Sequence, residues 1–572
     1  MIIKEKILGI TLFGLFMSVG WMTGISPLKT SLKTSQDATL SLKQMVVNGP
    51  AVTIESDYIT PLQYKIDILH YDLQIDLYPK DKLLKGKVEI TGRILEHDID
   101  RIDLNFYDNL SIKELTLNNL PVRFENKDTK LSLFLDGVEI DSFTLKVSYD
   151  GTPKRTGLSA FVFGEINGRS VVYNLSEPSF ASTWFPCNDI PSDKALLDIK
   201  ITNDSSQTSV SNGILVSKEL NRDRMTYHWK TFYPISTYLI CLYSSKYEEF
   251  SDEYISAAGD TMPIQYYVFP NHLDEAKVDF KNTPKMIEFF SKTFGEYPFI
   301  KEKYGIAEFL WQMGAMEHQT VTGIGSNFVG GKNFFEDVYV HELAHHWWGN
   351  AVGPGTWKDI WLNEGFSTYC EALYSESKSG EKALQSTMMS KYSDEFSNTL
   401  YDPGENLFST TVYDKGGWVL HMLRWEVGDS AFFDILRTYF EEYKYKNAST
   451  NNFISICERI SKRDLRKFFD QWVFIGKENI QLDYKWIIKK QSDNKHLIIL
   501  DLMQKQEQYS TFEYKLEVKL EYDNEKSLSK IFYINQKEKR IEILVDERPN
   551  QLILDPNNWL LANIKDRNSY EN

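Results

Sequence analysis

The chain has 572 residues, a length that indicates several domains rather than one. Hydrophobic residues make up 42% and aromatic residues 14% of the sequence, which excludes an intrinsically disordered chain. The 80 acidic and 64 basic side chains give a net charge of −16, so we expect no nucleic-acid partner, which would require a basic face. The four cysteines form no CxxC pair, which excludes a disulfide framework and a cysteine zinc knuckle.

The N-terminal 25 residues predict export. Lys4 and Lys6 precede an almost uncharged apolar run at residues 7–25, a pattern typical of a secretory signal peptide. A run of about 19 residues is also long enough to span a bilayer, so a membrane anchor formed by residues 1–25 is the alternative. In either case we expect a periplasmic, secreted or membrane-anchored protein whose main part lies outside the cytoplasm.

The periodicity of the sequence changes several times along the rest of the chain. Residues 26–60 are rich in Ser, Thr and Lys and lack periodicity, which predicts a linker. Short alternating segments such as 71–77 predict an all-β domain over residues 61–255. Helical periodicity dominates residues 256–478, and residues 479–565 again alternate like strands, which predicts a short C-terminal β domain. The helices predicted in the middle domain lie at residues 281–294, 334–348, 363–377, 416–427, 430–443 and 452–472.

An HExxH motif in the middle domain predicts a zinc site. On a helix, His341 and His345 are one turn apart and face the same side, so both imidazoles can bind one ion. Glu342 lies beside them, where its carboxylate can take a proton from zinc-activated water. Asn333 as the N-cap and Gly349 just beyond the end predict the limits of this helix.

A third zinc ligand is expected downstream, because a catalytic zinc site has three protein ligands and one open position. Glu364 follows His345 after 18 residues, on the next predicted helix. We therefore expect one Zn²⁺ per chain, bound by His341, His345 and Glu364. His346 is one position off the ligand face and is expected to pack against the site or to contact a ligand. Glu371, seven residues after Glu364, either orients a ligand histidine or is an exposed helix glutamate.

Several short motifs stand in a fixed order along the chain. They are FPCNDIP at residues 185–191, FGEYPF at 294–299, HELAH at 341–345, WWGN at 347–350 and WLNEGF at 361–366. In this order they resemble the M1 family of zinc aminopeptidases, in the gluzincin clan, over most of residues 62–475. The resemblance implies an N-terminal all-β saddle domain, a thermolysin-like and mostly α-helical catalytic domain, and a short C-terminal β domain.

The resemblance also implies how a substrate is held. The family's GxMEN segment stands here as Gly314, Ala315, Met316, Glu317 and His318. Glu317 is implied to pair with the free amine of a peptide. The three residues before Glu317 are implied to bind the peptide, Gly314 and Ala315 through backbone hydrogen bonds. His318 replaces the family's asparagine and is expected to add a titratable group behind Glu317.

Two further residues follow from the same resemblance. Glu177 lies nine positions before Pro186 and matches the family's second amine-binding position, although the arginine expected just before FPC is missing. The alternative is that Glu177 is an exposed loop glutamate. Tyr413, in the segment YDKG, matches the tyrosine that stabilises the oxyanion of the reacting carbonyl.

The resemblance therefore predicts a zinc metallo-aminopeptidase that hydrolyses the N-terminal peptide bond of peptides with a free amino terminus, with Glu342 as general base and Tyr413 as oxyanion stabiliser. One alternative is a zinc endopeptidase, which would not need Glu317 and Glu177. The other is a catalytically silent peptide-binding protein, although the ligands, the base and the tyrosine are all retained. Because the segment after Trp472 is short and alternates like strands, we expect a more open cleft than in relatives with a large helical C-terminal domain.

Overall fold

The computed structural model describes residues 58–492 and 495–567. The predicted signal peptide or anchor at residues 1–25 lies outside the described residues, as does the predicted linker up to residue 57. The end of that linker already belongs to the β domain, since Tyr58 is buried and its Oη donates a hydrogen bond to Asp189 Oδ2 at 2.7 Å. Within the described residues, no helix is both long and apolar enough to cross a bilayer.

The described part of the chain begins with a β domain. Its strands are β1 (Ile66–Tyr78), β2 (Leu83–Ile94), β3 (Arg101–Asn105), β4 (Leu110–Leu117), β5 (Leu120–Pro121), β6 (Arg123–Lys127), β7 (Lys130–Phe134), β8 (Ser142–Gly151), β9 (Ala160–Ile166), β10 (Arg169–Leu175), β11 (Lys194–Asp204), β12 (Thr208–Val210), β13 (Ile214–Asn221), β14 (Arg224–Lys230), β15 (Ile235–Ser236) and β16 (Tyr243–Ser245). The largest sheet has the order β13-β14-β11-β1-β2-β8-β4-β5, with β15 paired to β11. Smaller sheets have the orders β12-β16-β10-β9 and β3-β7-β6.

The β domain buries one face of its large sheet. β1 and β11 are parallel, whereas β1 and β2 are antiparallel with Tyr71 opposite Ile90. Buried and less buried side chains alternate along β2, as expected for a strand with one face on the core. The all-β N-terminal domain predicted from sequence is confirmed.

A second, mixed sheet forms the base of the catalytic domain. Its strands are β17 (Glu248–Ile255), β18 (Thr261–Val268), β19 (Tyr304–Phe309), β20 (Ala315–Met316) and β21 (Thr322–Gly325). They are ordered β17-β18-β19-β21-β20, so β20 is an edge strand. The boundary predicted at residue 255 falls inside this sheet, because β17 and β18 form a hairpin within it.

Helices cover this sheet and make up most of the catalytic domain. They are α1 (Leu273–Asp279), α2 (Thr283–Phe294), α3 (Glu336–Ala344), α4 (Trp361–Ser379), α5 (Glu381–Ser390), α6 (Gly416–Val427), α7 (Asp429–Tyr443), α8 (Thr450–Ser461) and α9 (Arg466–Phe469), with the short strands β22 (Val352–Pro354) and β23 (Lys446–Ala448). The single helix predicted at residues 452–472 is wrong. The chain leaves α8 at Lys462, whose φ of 58° is left-handed, and resumes in α9.

The helix of the HExxH motif, α3, is shorter than predicted. Asn333 is not its N-cap, since its φ of 54° is left-handed and the helix begins three residues later at Glu336. The Asn333 N–H instead donates to Asp279 Oδ1 at 2.6 Å, so this carboxylate on α1 shapes the turn before α3. The helix ends at Ala344, ahead of Gly349.

The C-terminal segment is a β domain that packs on α6. Its strands are β24 (Ile480–Ser492), β25 (Lys495–Gln504), β26 (Tyr514–Glu521), β27 (Ser527–Ile534), β28 (Glu538–Val545), β29 (Gln551–Leu554) and β30 (Ala562–Asp566). They form sheets ordered β28-β25-β24-β30 and β27-β26-β29. Trp559 stacks on His421 and Trp425 of α6, with ring centroids 4.5 Å and 5.5 Å apart. The described residues after Ile480 contain no α-helix, so they form no helical lid over the cleft.

Candidate metal centre and active site

Three predicted ligands from two helices converge on one point. His341 Nε2 and His345 Nε2 lie 3.4 Å and 3.3 Å from Glu364 Oε2. The histidines lie on α3 and at its C-terminal end, one turn apart, and Glu364 lies in the first turn of α4. All three side chains are buried, and one ligand atom of each lies within 4.8 Å of the other two.

The opposite nitrogen of each imidazole has its own acceptor. His345 Nδ1 lies 3.0 Å from the Trp348 carbonyl, and a carbonyl only accepts, so Nδ1 carries the proton. His341 Nδ1 lies 2.9 Å from Glu371 Oε1. Nδ1 of each imidazole thus has an acceptor while Nε2 faces Glu364, the arrangement found in histidines that bind zinc. This donor set fits Zn²⁺, and Glu371 is a partner of a ligand rather than an exposed helix glutamate.

Lys391 completes the support of His341, and sequence reasoning missed it. Its Nζ lies 2.8 Å from Glu371 Oε2 and 4.0 Å from Asp414 Oδ1, next to Tyr413. Burial alone would oppose ionisation of Glu371, but Lys391 and His341 outweigh burial and lower its pKa to about 2. Lys391 follows α5 in a loop, with no motif in the sequence that marks it.

Replacing Lys391 with methionine is expected to weaken zinc binding by about tenfold or more, because loss of outer partners typically costs that much. The buried Glu371 carboxylate would lose its cation and its fixed orientation toward His341. Zinc affinity, measured by competition with a chromogenic chelator, tests this. Lys391→Arg should restore most of the affinity, and equal affinities for both variants and the wild type would contradict the role.

Glu342, the predicted base, lies beside the metal ligands. It directly follows His341 on α3, and its side chain is buried. One of its carboxylate oxygens lies within 4.8 Å of a ligand atom of Glu317 and of His345. Burial raises its pKa, and the neighbouring charges of Glu317 and Glu364 raise it further against the opposing effect of the histidines. A carboxylate with a raised pKa next to a metal site is suited to accept and return a proton.

Glu177 and Glu317 lie together beside the metal ligands. The structure brings Glu177, Glu317 and Glu364 within 4.8 Å of one another, measured between one oxygen of each. Glu177 and Glu317 are 5% and 4% exposed, which excludes the exposed-loop alternative for Glu177. Oε1 of each accepts no hydrogen bond from the described protein. Buried carboxylate oxygens without partners mark a place where a cationic group is needed.

The main chain of Glu317 is held by residues from both domains. Asn350 Nδ2 donates to the Glu317 carbonyl at 2.7 Å. Lys194, from β11 of the β domain, donates from Nζ to the carbonyls of Asn350 and Ala351 at 2.7 Å and 3.0 Å. The WWGN motif thus contributes its asparagine to the support of Glu317.

His318 and His346 are both neutral supporting groups. His318 Nδ1 lies 2.6 Å from Tyr243 Oη, and burial lowers its pKa to about 3. The expectation that His318 adds a titrating group is therefore wrong, because β16 of the β domain encloses it. His346 Nε2 accepts the Thr320 N–H at 3.1 Å, and burial lowers its pKa to about 3 as well. His346 packs against the site without being a ligand.

Tyr413 lies in a π-helical turn, Thr411–Lys415, that precedes α6. Its ring stacks on His341 with centroids 5.8 Å apart and an interplanar angle of 18°. Burial raises its pKa well above the usual range, and the charge of Glu364 adds to the effect. The phenol therefore stays protonated and available as a hydrogen-bond donor beside the metal ligands.

The predicted backbone site for the substrate is the edge strand of a sheet. Ala315 and Met316 form β20 and pair on one side with Ile324 and Gly323 of β21. The Gly314 carbonyl accepts the Gly325 N–H at 3.1 Å on that same side. Within the described residues, the other side of β20 has no strand neighbour, so an extended peptide can add there as a further strand.

Close packing of α4 on α6 joins the Glu364 and Tyr413 parts of the site. A Cβ built on Gly365 would lie 2.8 Å from the Gly416 Cα, too close for any side chain. Gly365 directly follows Glu364, and Gly416 directly follows the turn of Tyr413. The two glycines therefore set the distance between the metal ligand and the tyrosine.

Gly365→Ala is expected to destabilise the protein by about 1–3 kcal/mol, the usual effect of overpacking. Helix propensity alone predicts the opposite sign, because alanine favours a helix over glycine by about 1 kcal/mol. Thermal unfolding measures the difference. Gly330→Ala is the matched control, since a Cβ there meets nothing within 4 Å; an equally small effect for both variants would contradict the packing argument.

The fold and the site together define an HExxH metallopeptidase with a two-histidine, one-glutamate metal centre. Residues 68–239 match the peptidase M1 N-terminal domain and residues 278–472 match the peptidase family M1 domain. The chain belongs to peptidase family M1, and its metal cofactor is Zn²⁺.

Related proteins agree with this assignment. Aminopeptidase N of Lactococcus lactis subsp. lactis is 26% identical over 447 residues, covering 71% of this chain and 50% of that protein. Leucine aminopeptidase 2 of Candida glabrata is 27% identical over 514 residues, covering 81% of this chain and 76% of that protein. The chain thus spans half the length of the first relative and three quarters of the second.

Solved structures show the same architecture. The M1 zinc metallopeptidase from Deinococcus radiodurans has a TM-score of 0.64 and 27% identity, covering 72% of this chain and 93% of that one. Aminopeptidase A of Legionella pneumophila shares the fold at a TM-score of 0.77 and 18% identity, covering 90% of this chain and 61% of that one. The second alignment spans more of this chain and less of its relative.

Proposed function

We propose that this protein is a zinc aminopeptidase that removes N-terminal residues from peptides with a free amino terminus. The observation that carries the proposal is the pair Glu177 and Glu317, buried beside Glu364 with carboxylate oxygens that no described group satisfies. A substrate ammonium supplies the missing hydrogen bonds and charge. An endopeptidase has no use for such a pair, since the residue before its cleavage site carries an amide.

The position of the pair explains cleavage after one residue. Glu317 belongs to one group with Glu342 and His345, and to another with Glu177 and Glu364, each within 4.8 Å. A terminal ammonium bound there lies next to the metal centre, so the first peptide bond is the one presented for hydrolysis. Charge-assisted hydrogen bonds to two carboxylates fix this register.

The chain's own groups divide the chemistry among them. Bound zinc supplies a Lewis acid that polarises the carbonyl and lowers the pKa of water. Glu342 takes the proton from the attacking water and delivers it to the departing amine. Tyr413 Oη donates to the carbonyl oxygen as negative charge develops there. The free side of β20 holds the peptide backbone in an extended conformation.

Support for peptide substrates also comes from relatives. A mutant of the Deinococcus radiodurans metallopeptidase, solved with a Tyr-Ser-Ala substrate, has a TM-score of 0.64 and 26% identity to this chain. The peptide bound by that relative supports a peptide substrate for this chain, which has each residue that the proposed reaction requires.

The test is hydrolysis of a panel of aminoacyl fluorogenic amides by the zinc-loaded protein, each with and without N-acetylation and with and without a zinc chelator. We expect cleavage of free-amine substrates only, abolished by the chelator and restored by zinc. Cleavage of acetylated substrates at a similar rate would identify an endopeptidase. Bound zinc without turnover of any substrate would identify a peptide-binding protein.

Glu317→Gln is expected to lower kcat/KM for free-amine substrates by about 10–100-fold, since a hydrogen bond to a charged group contributes about 1.5–3 kcal/mol. The effect should appear mainly as a higher KM, and the zinc content should be unchanged. Steady-state kinetics with metal analysis measures both. Glu253→Gln, at an exposed carboxylate of β17, is the matched control, and kinetics of Glu317→Gln equal to this control would refute the amine-binding role.

A further inference from the structure

We propose that Glu177, Glu317 and Glu364 form a second metal site, which takes a hard divalent cation such as Mn²⁺ when no substrate amine is bound. The inference rests on the proposed function in one respect: the ion uses the same two carboxylates as the substrate ammonium, so the two ligands exclude each other. Divalent cations in excess of zinc then inhibit the enzyme by competing with the amino terminus of the substrate.

The geometry meets the requirements of a cation site. One oxygen from each of the three carboxylates lies within 4.8 Å of the others, a span that a single ion can bridge. The side chains of Glu177, Glu317 and Glu364 are 5%, 4% and 2% exposed. Glu177 Oε1 and Glu317 Oε1 accept no hydrogen bond from described groups, so both are free to coordinate.

The carboxylates at the site carry more negative charge, when ionised, than one zinc ion balances. Glu177, Glu317, Glu342 and Glu364 are four buried carboxylates in overlapping groups. Among the described residues, the only ion pairs that reach Glu364 come from His341 and His345, which are the zinc ligands. With all four carboxylates ionised, one zinc ion balances two of the four charges, and a second divalent ion balances the other two.

The ligand types separate the two sites by metal. The first site has two imidazoles and one carboxylate, a set that suits zinc. The second has only carboxylate oxygens, which suit Mn²⁺, Mg²⁺ and Ca²⁺. Because zinc binds a nitrogen-containing site more tightly than manganese does, added Mn²⁺ leaves the zinc in place. Glu364 is shared by both sites and couples them.

The experiment is a titration of the full-length, one-zinc protein with Mn²⁺, in which free Mn²⁺ is followed by its EPR signal and zinc by metal analysis. We expect one further equivalent of Mn²⁺ to bind without release of zinc. Leucine amide, which has a free amine, should displace the bound Mn²⁺, whereas N-acetyl-leucine amide should not. No turnover is needed for this readout, so it is independent of whether the protein cleaves acetylated substrates.

Two variants locate the bound ion. Glu177→Gln and Glu317→Gln should each weaken Mn²⁺ binding by at least about tenfold, because affinity follows the number of charged oxygen ligands. Glu253→Gln should bind Mn²⁺ like the wild type. The thermal unfolding temperature verifies that each variant is folded, and either variant alone suffices for the test.

Three results would overturn the inference. They are no Mn²⁺ uptake by the one-zinc protein, uptake that accompanies loss of zinc, and uptake that both variants and leucine amide leave unchanged. Failure of the proposed function gives a different pattern, since acetylated and free substrates would then be cleaved alike while the Mn²⁺ titration still reports on the three carboxylates.

Discussion

Glu342→Gln is expected to lower kcat by about 10²–10⁴-fold, the range that positioned general bases contribute. The amide has nearly the shape of the carboxylate, and Glu342 is no part of the His341–His345–Glu364 ligand set, so zinc content should stay at one per chain. Only the proton acceptor beside the metal is lost. The measurement is kcat on a free-amine fluorogenic amide, with zinc determined on the same sample.

The comparison with zinc content makes this prediction specific. A variant that lost zinc would be inactive for a trivial reason, and re-addition of zinc would restore nothing in Glu342→Gln if the base is the missing group. Glu253→Gln again controls for replacement of a carboxylate at a distance. Turnover within a few-fold of the wild type would remove Glu342 from the mechanism.

Tyr413→Phe is expected to reduce kcat by about 10²–10³-fold, the usual effect of removing one donor to a developing oxyanion. The phenylalanine ring keeps the stack on His341, at 5.8 Å between centroids in the wild type, so only the hydroxyl is removed. KM should change little, because the hydrogen bond strengthens in the transition state rather than in the bound substrate. Steady-state kinetics separates the two parameters.

Tyr64→Phe is the matched control for this variant, since the Tyr64 side chain is half exposed and belongs to the β domain. It should have wild-type kcat and KM. A large rise in KM for Tyr413→Phe with kcat preserved would assign the hydroxyl to substrate binding. Equal kinetics in both variants would show that the Tyr413 hydroxyl does not stabilise the oxyanion.

The zinc ligands could be predicted from sequence because helix geometry determines their relationship. His341 and His345 face the same side of any helix that contains them, and the next helix is the natural source of Glu364. Glu177 and Glu317 were predicted as a pair from a family resemblance, and the structure brings them together with Glu364. Both β domains could be predicted because apolar and polar residues alternate along a strand that buries one face.

The remaining features depend on contacts that no local pattern encodes. Lys391 reaches Glu371 from a loop, and Tyr243 reaches His318 from another domain. Glu371 could be placed on the correct helix face, but whether that face is buried is decided by packing of α4 against α3. The prediction of Asn333 as the N-cap of α3 failed for a similar reason, since Asp279 on α1 binds the Asn333 N–H and shapes that turn.

The pair of carboxylates proposed to bind the substrate amine spans two domains. Glu177 follows β10 of the β domain, whereas Glu317 follows β20 of the catalytic domain. The two carboxylates therefore approach each other across the domain interface. Lys194 of the β domain donates a hydrogen bond to the Asn350 carbonyl at this interface. For the proposed aminopeptidase, selection of the first peptide bond thus depends on both domains, whereas the metal ligands and Glu342 all lie in the catalytic domain. A rigid-body shift of the β domain would move Glu177 relative to the metal ligands and so change the position of a bound peptide terminus. The metal ligands and Glu342 would stay in place.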